Sequence, residues 1–264
     1  MRNSFNLPPA TAVQGVQVCA QAIVLRVQPV GDSDVVLTLL VADGGRLTVF
    51  ARAGRSSKKR FESAALRPFV AVEAIIAPPR RGSLPLLQAV HSQIDLLGPC
   101  PTYPQLVLGS YIVEIATQLS QPAHADPDLH CWLLRYLGAC REATDDVLAD
   151  ILMVAELAAL QVAGLLPDLS RCVRCAMAFD HLVLWPTIGD GLACGRCHPY
   201  GAEALPAADF HLLCAALAGP GLRELTALTA PSRALIGERS RVLVQHMVAT
   251  PLRSAAAVRD TLRK

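Results

Sequence analysis

Along the first third of the chain, apolar and polar positions alternate in short runs, whereas beyond Gly98 the apolar spacing lengthens to about 3.6 residues. Five runs, residues 16–27, 34–42, 46–53, 69–77 and 86–96, are rich in Val, Ile, Leu and Thr and are separated by turn residues, which predicts five strands. Asp43-Gly44-Gly45 between the second and third runs supplies glycines that can take positive φ, as a tight hairpin demands. Between the fourth and fifth runs, Pro78 and Pro79 remove ladder donors and Gly82 permits reversal. Five antiparallel strands in about 80 residues suit a small closed barrel, for which the OB-fold is the common solution.

The proline-marked stretch 98–103 separates these strands from a helical remainder. The fold class expected is therefore α+β: a five-stranded OB-fold barrel over residues 16–97, an α-helical domain over 98–264, and an extension of residues 1–15 ahead of both. Leu106, Ile112, Val113, Ala116 and Leu119 form one apolar stripe, and Asp126 offers an N-cap with Pro127 at the first helical position, so helices are predicted near 104–120 and 127–142. Thr144 is expected to cap a third helix whose first turn holds Asp145 and Asp146, with Gly164 closing it in a left-handed C-cap. Residues 179–185 read as a short hairpin. Helices resume at 207–218, with Asp209 in the first turn and Gly219 at the end, and at 222–227 and 232–248.

Composition narrows the class. Although 52% of the residues are apolar, the richest stretch, 147–166, is interrupted by Asp150, Glu156, Gln161 and Gly164, so no membrane span is predicted. The first 17 residues contain one Arg, two prolines and no apolar core of the kind a secretory signal needs. Nine cysteines include five without framework spacing, Cys19, Cys100, Cys131, Cys140 and Cys214, which suits a reducing, cytoplasmic compartment. Residues 1–97 hold 11 Lys/Arg against 6 Asp/Glu, and residues 98–264 hold 13 against 16. A polyanion would meet the first part.

The other four cysteines carry the most specific signal. Cys172 and Cys175 form one C-x-x-C pair, and Cys194 and Cys197 form a second after an 18-residue gap, within an insertion at about 170–200. Two such turns can close a tetrahedral four-thiolate shell around one Zn2+ ion, which leaves no open position for water, so the metal is expected to be structural. Two surface disulfides are the competing assignment. His198 follows the last thiolate and is expected outside the shell.

The connector after the third strand, residues 52–61, carries Arg52, Arg55, Lys58, Lys59 and Arg60 and no acid in its first nine positions. These side chains can neutralise phosphates, and Gly54, Ser56 and Ser57 let backbone N–H groups and hydroxyls reach the same oxygens. Arg80 and Arg81 add a second basic loop. Phe50 and Phe61 flank the run and could stack on bases, but the better expectation turns both into the core. Arg233, Arg239, Arg241, His246 and Arg253 near the last helix are read as solvated charges, with an anion-binding strip as the alternative. Asp32 and Asp34 precede the second strand, where Asp commonly bonds its own backbone.

Catalytic signatures are missing. There is no G-x-x-x-x-G-K-[ST] loop, no H-E-x-x-H and no G-x-S-x-G, and no histidine is followed two positions later by Glu as the zinc deaminases require. No catalytic residue is predicted. A general single-stranded-DNA binder and, more remotely, a zinc enzyme with an exchangeable water remain as rival classes.

The order of segments along the chain resembles a known family. Ala22-Ile23-Val24-Leu25-Arg26, Gly31-Asp32-Ser33-Asp34, Leu37-Thr38-Leu39-Leu40, Gly45-Arg46-Leu47 and the basic run look like the amino-terminal barrel of the bacterial DNA repair family RecO. Gly164-Leu165-Leu166-Pro167-Asp168-Leu169 leading into Cys172, and Arg241 through Pro251-Leu252-Arg253-Ser254, are similar to that family's zinc region and final segment. The likeness spans about residues 16–255, and the first 15 residues have no counterpart.

That resemblance implies a recombination mediator without turnover of its own. It would bind single- and double-stranded DNA, anneal complementary strands, and work with RecR to load RecA on DNA coated by single-strand-binding protein. The DNA-contact positions it implies here are Arg52, Arg55, Lys58, Lys59 and Arg60, with Arg46, Arg80 and Arg81 as outer contributors. The family also docks the acidic, Phe-terminated tail of single-strand-binding protein on its helical region, for which Arg135 or Arg141 could form a rim. Since some members lack the cysteines, the resemblance too implies that zinc is structural.

Overall fold

In the computed structural model, the residues described are 18–78, 84–185, 191–197, 204–219 and 223–262. The 1–15 extension, Arg80, Arg81 and His198 lie outside them. The chain divides into two compact units, one formed by Met1–Ala143 with Ser254–Val258 and the other by Thr144–Arg253 with Arg259–Lys264.

In the first unit the five predicted strands appear as β1 (Val18–Val30), β2 (Asp34–Val41), β3 (Gly45–Ala51), β4 (Val70–Ala77) and β5 (Leu86–Asp95). They close in the order β1-β2-β3-β5-β4. A register shift between Val24 and Arg26 bends β1, so its first half pairs with β4 and its second half with β2. The barrel interior takes alternate residues of each strand, among them Val24, Leu37, Leu39, Val49, Ala51, Val72 and Val90. Closure comes from a parallel pairing of β3 with β5 at Phe50 and Leu86, where the Phe50 N–H donates to the Pro85 carbonyl at 2.9 Å.

Two helices complete this unit, α1 (Tyr103–Leu119) and α2 (Pro127–Glu142). Asp126 accepts from the Leu129 N–H at 2.9 Å, as the sequence indicates. The α1 cap, which the sequence reading did not identify, is a reciprocal box: Thr102 accepts from the Gln105 N–H, and the Gln105 side chain accepts from the Thr102 N–H at 2.8 Å. The Gln105 amide then donates to the carbonyls of Cys140 and Ala143, so one buried side chain starts α1 and satisfies the end of α2.

The β2–β3 hairpin fastens the barrel to these helices. Gly45 has φ +67°, and a Cβ placed there would stand 2.0 Å from the His124 carbonyl oxygen. Only glycine permits that approach. Arg46 then donates its N–H to the Gln121 carbonyl and its guanidinium to the Thr117 carbonyl at 2.8 Å, against the negative end of α1. At the far end of the unit, the Ser254 N–H and hydroxyl both donate to the Glu114 carboxylate.

The second unit contains α3 (Leu148–Val162), a small sheet of β6 (Leu182–Leu184), β7 (Ala193–Cys194) and β8 (Ala204–Pro206) in the order β7-β6-β8, then α4 (Ala207–Ala218) and α5 (Ala230–Met247). The last helix, α6, spans Ala255–Leu262. Several expectations change here. Thr144 makes no side-chain cap, because Asp145–Val147 turn as a 3-10 helix before α3 begins. Residues 179–185 supply a single central strand rather than a hairpin, since β7 and β8 bring partners from outside that stretch. The helix expected at 222–227 is a 3-10 turn, Arg223–Ala227. Gly219 ends α4 at a negative φ of −110°, whereas Gly164, at +69°, ends α3 in the left-handed form expected of it. Asp209 is buried and accepts from the Thr229 hydroxyl at 2.7 Å, tying the start of α4 to the start of α5.

The packing of α3 on α5 is held by polar contacts inside apolar surroundings. The Ser240 hydroxyl donates to Glu156 at 2.5 Å, and Arg233 stands 3.4 Å from Asp150 while donating to the Leu225 carbonyl. Arg233 is thereby committed internally and Arg239 is buried, so the basic residues of this helix do not form one exposed strip. No helix among the described residues is long and apolar enough to cross a membrane.

Two stability tests follow from this packing. Gly45→Ala must displace the His124 carbonyl and hold Ala in a left-handed conformation, which alone costs about 1–2 kcal/mol. A loss of at least about 2 kcal/mol is expected from the urea midpoint. His130, at 4% exposure, has an Nε2 without a hydrogen-bond partner among the described residues, and burial lowers its pKa to about 4 against an opposing pull from Asp43. The folded state therefore resists a proton that the unfolded chain accepts below about pH 6.5. Stability is full above that pH and falls, by up to about 3 kcal/mol, as pH drops toward 4. Urea midpoints of a His130→Gln variant across this range should lack that component of the slope.

Candidate nucleic-acid interface and metal centre

The basic run leaves β3 directly and is folded tightly by its own backbone. Ala53 sits at φ +55°, its N–H donates to the Asp34 carboxylate at 2.7 Å, and the Arg55 N–H donates to the Ser33 carbonyl at 2.9 Å. Asp34 thus holds the basic loop, not its own backbone as the sequence suggested. The N–H groups of Ser57 and Phe61 then close successive turns on the carbonyls of Ala53 and Ser57. At the loop's end Phe61, 1% exposed, bridges to Val90 inside the barrel.

With the backbone committed inward, the cationic side chains project into solvent. Arg52, Arg55, Lys58, Lys59 and Arg60 are all exposed. Arg60 is braced by the Ser57 hydroxyl at 3.0 Å and the Arg52 carbonyl at 3.1 Å, and its guanidinium lies 4.9 Å from the centre of the Phe61 ring. Among the described residues no carboxylate pairs with any of the five. Five unneutralised cations on nine residues of ordered loop form a compact positive surface suited to a polyanion. Arg46 lies apart from this group, with its guanidinium on the Thr117 carbonyl.

On the helices, the Arg135 guanidinium lies 5.2 Å from the centre of the Tyr136 ring. Arg141 is exposed and donates to the Asp95 carbonyl at 3.3 Å.

In the second unit the four cysteines of the two C-x-x-C pairs meet. Their Sγ atoms all lie within 4.8 Å of one another, and all four are free thiols. The β6–β7 ladder sets the second turn beside β6 through the Val183–Cys194 pair, and the Val173 N–H, inside the first turn, donates to the Leu192 carbonyl at 2.9 Å and draws the two turns together. The Cys175 and Cys194 sulfurs stand 3.7 Å apart, close to the roughly 3.8 Å edge of a tetrahedron with 2.3 Å metal–sulfur bonds. The Cys194 N–H donates to the Cys172 sulfur at 3.3 Å. Burial disfavours the Cys172 thiolate, but the N–H groups of Cys194, Cys175 and Arg174 outweigh it and bring the pKa down to about 6. Burial opposes the Cys194 thiolate too, but Cys197, the Arg196 N–H and the Cys175 thiol lower its pKa, whereas hydrogen bonds with Cys175 and Cys194 raise Cys197 to about 12. Four sulfurs at this spacing, two of them, Cys172 and Cys194, with N–H donors that favour thiolate, are a donor set that fits a structural metal ion of the Zn2+ type.

Comparison with known proteins covers both units. The N-terminal model of recombination protein O matches residues 16–93, and the C-terminal model of the same protein matches residues 101–255. A protein named DNA repair protein RecO from Anaeromyxobacter dehalogenans strain 2CP-C is 35% identical over 191 residues, covering 70% of this chain and 72% of that protein. Its namesakes from Anaeromyxobacter sp. strain K and strain Fw109-5 are each 33% identical, with the same coverage.

Cobalt(II) added to the metal-free protein should give the absorption of a four-thiolate tetrahedral site, whereas an open coordination position would shift it. Replacing Cys175 and Cys194 by Ser should remove bound metal and lower thermal stability, because metal binding and local folding share one free-energy balance. Unchanged stability without metal would show that the cluster is dispensable.

Proposed function

The chain belongs to the RecO family of DNA repair proteins, and from that premise we propose that it is a recombination mediator. It binds single- and double-stranded DNA, anneals complementary strands, and works with RecR to load RecA onto DNA coated by single-strand-binding protein. The observation that carries this reading is the ordered, exposed and unneutralised basic loop on the closed barrel. Phosphates bound there release counterions, a sequence-independent attraction that suits a protein acting on any broken DNA.

In this reading residues 16–97 are the DNA-binding part, with Arg52, Arg55, Lys58, Lys59 and Arg60 as the main phosphate contacts and Arg80 and Arg81 as outer contributors. Arg46, already bonded to the Thr117 carbonyl, adds its field rather than a direct contact. Residues 98–264 meet protein partners, and exposed Arg141, with Arg135, would attract the acidic tail of single-strand-binding protein. One Zn2+ ion on Cys172, Cys175, Cys194 and Cys197 keeps the 170–200 insertion folded and does no chemistry. The protein acts in the bacterial cytoplasm, at the nucleoid.

Annealing of complementary oligonucleotides precoated with single-strand-binding protein tests this. The protein should accelerate it over the uncatalysed rate, and a Lys58→Ala/Lys59→Ala/Arg60→Ala variant should not. The same variant should flatten the log–log salt dependence of DNA binding by about 2 to 3 in slope. Tight DNA binding without acceleration would mark a passive single-strand binder instead.

A further inference from the structure

The two phenylalanines that bracket the basic loop have opposite fates. Phe61 lies within the barrel core, in contrast to Phe50, which stands on β3 between the interior residues Val49 and Ala51 and therefore faces outward. It is half-buried and takes no part in the core. This departs from the expectation that both rings turn inward, and the pleat of β3 is the reason.

What surrounds Phe50 on the outer face gives it a use. Its cross-strand partners are Val36 on β2 and Leu86 on β5. Their neighbours Val35, Leu37 and Leu87 fill the interior, so Val36 and Leu86 share the outer face with Phe50. Leu86 is 38% exposed, and Leu84 just before it is 44% exposed. An apolar strip three strands wide thus lies on the outer barrel wall, exposed at Leu86 and partly covered at Val36 and Phe50, and Thr38 and Thr48 form the paired row beside it. Arg52, the first cation of the loop, follows Phe50 by two residues and about 7 Å along the chain.

We propose that Phe50, flanked by Val36 and Leu86, is a stacking platform for unpaired bases of a single strand whose phosphates are held by the 52–60 loop. This rests on the DNA-binding reading and adds to it a preference for single strands. An aromatic ring offers its face to any base, whatever the sequence, but the bases of a duplex are already stacked on one another. The loop alone would hold both forms through their phosphates. The ring adds binding energy only for the single strand.

The occupant is single-stranded nucleic acid rather than a protein segment, because no carboxylate among the described residues pairs with the cations next to the strip and a base-plus-phosphate ligand satisfies the ring and the loop together.

Binding of a thymidine 30-mer and of a duplex of equal length, each titrated over a salt series, tests the proposal with the full chain. Phe50→Leu keeps the apolar bulk and should still weaken single-strand binding roughly 5-fold or more, as should Phe50→Ala. Duplex affinity and the salt slopes should stay unchanged, and Phe50→Trp should bind the single strand as well as the parent. Equal loss on both DNA forms, or no loss on either, overturns the platform, provided the basic-loop variant still binds weakly. If that variant binds DNA as the parent does, the DNA-binding reading falls and takes the platform with it. Intact DNA binding by Phe50→Ala with lost annealing on coated DNA also overturns the platform, and makes the strip a protein-docking surface.

Discussion

Barrel closure is the constraint on which the first unit depends. Four of the strand contacts join antiparallel neighbours, but the fifth brings β3 alongside β5 in parallel at one register, Phe50 opposite Leu86. Once that register is set, the two-residue period of the strand decides every side chain on β3. Val49 and Ala51 fill the interior, and Arg46, Thr48 and Phe50 face out. The chain must then leave β3 at the rim and return to the barrel at Phe61, which gives the basic run two fixed ends. A slip of one residue would bury Phe50 and Arg52 and expose Val49 and Ala51. Apolar packing in the barrel is therefore what orients a polar, charged surface.

The second unit is organised on another principle. Its three-stranded sheet consists of strands only two or three residues long, too short to hold register through backbone bonds alone. The four sulfurs converge where that sheet is weakest, at the end of β7, and a metal ion there would tie the 172–175 and 194–197 turns together. Larger apolar contacts and the Glu156–Ser240 bond secure α3 and α5 nearby.

Much of this architecture is legible in the sequence because the features that encode it are local. Alternation gave five strands, Asp126-Pro127 gave a helix start, and the two C-x-x-C pairs gave a cluster. The features that escaped are those in which distant residues choose each other. Asp34 looked like a turn residue, yet its carboxylate holds a loop 19 positions later. Thr144 had the right chemistry for a cap but precedes a 3-10 turn, and Asp209, in the first turn of α4, bonds Thr229 at the entrance to α5. Phe50 and Phe61 look alike on the page, and only the pleat of β3, in register with β2 and β5, turns the first of them outward.

Residues 254–258 return to the first unit, so Thr144–Arg253, the larger piece of the second, lies in the chain between two pieces of the first. During synthesis the barrel and its two helices emerge first, but the carboxylate of Glu114 must wait 140 residues for Ser254. The ribosome will have delivered α3, the cysteine cluster and α5 in the meantime. Anything that halts synthesis in this middle stretch leaves the earlier unit without its last segment. Completion of the barrel-bearing unit is in this way timed by the residues that are made after it.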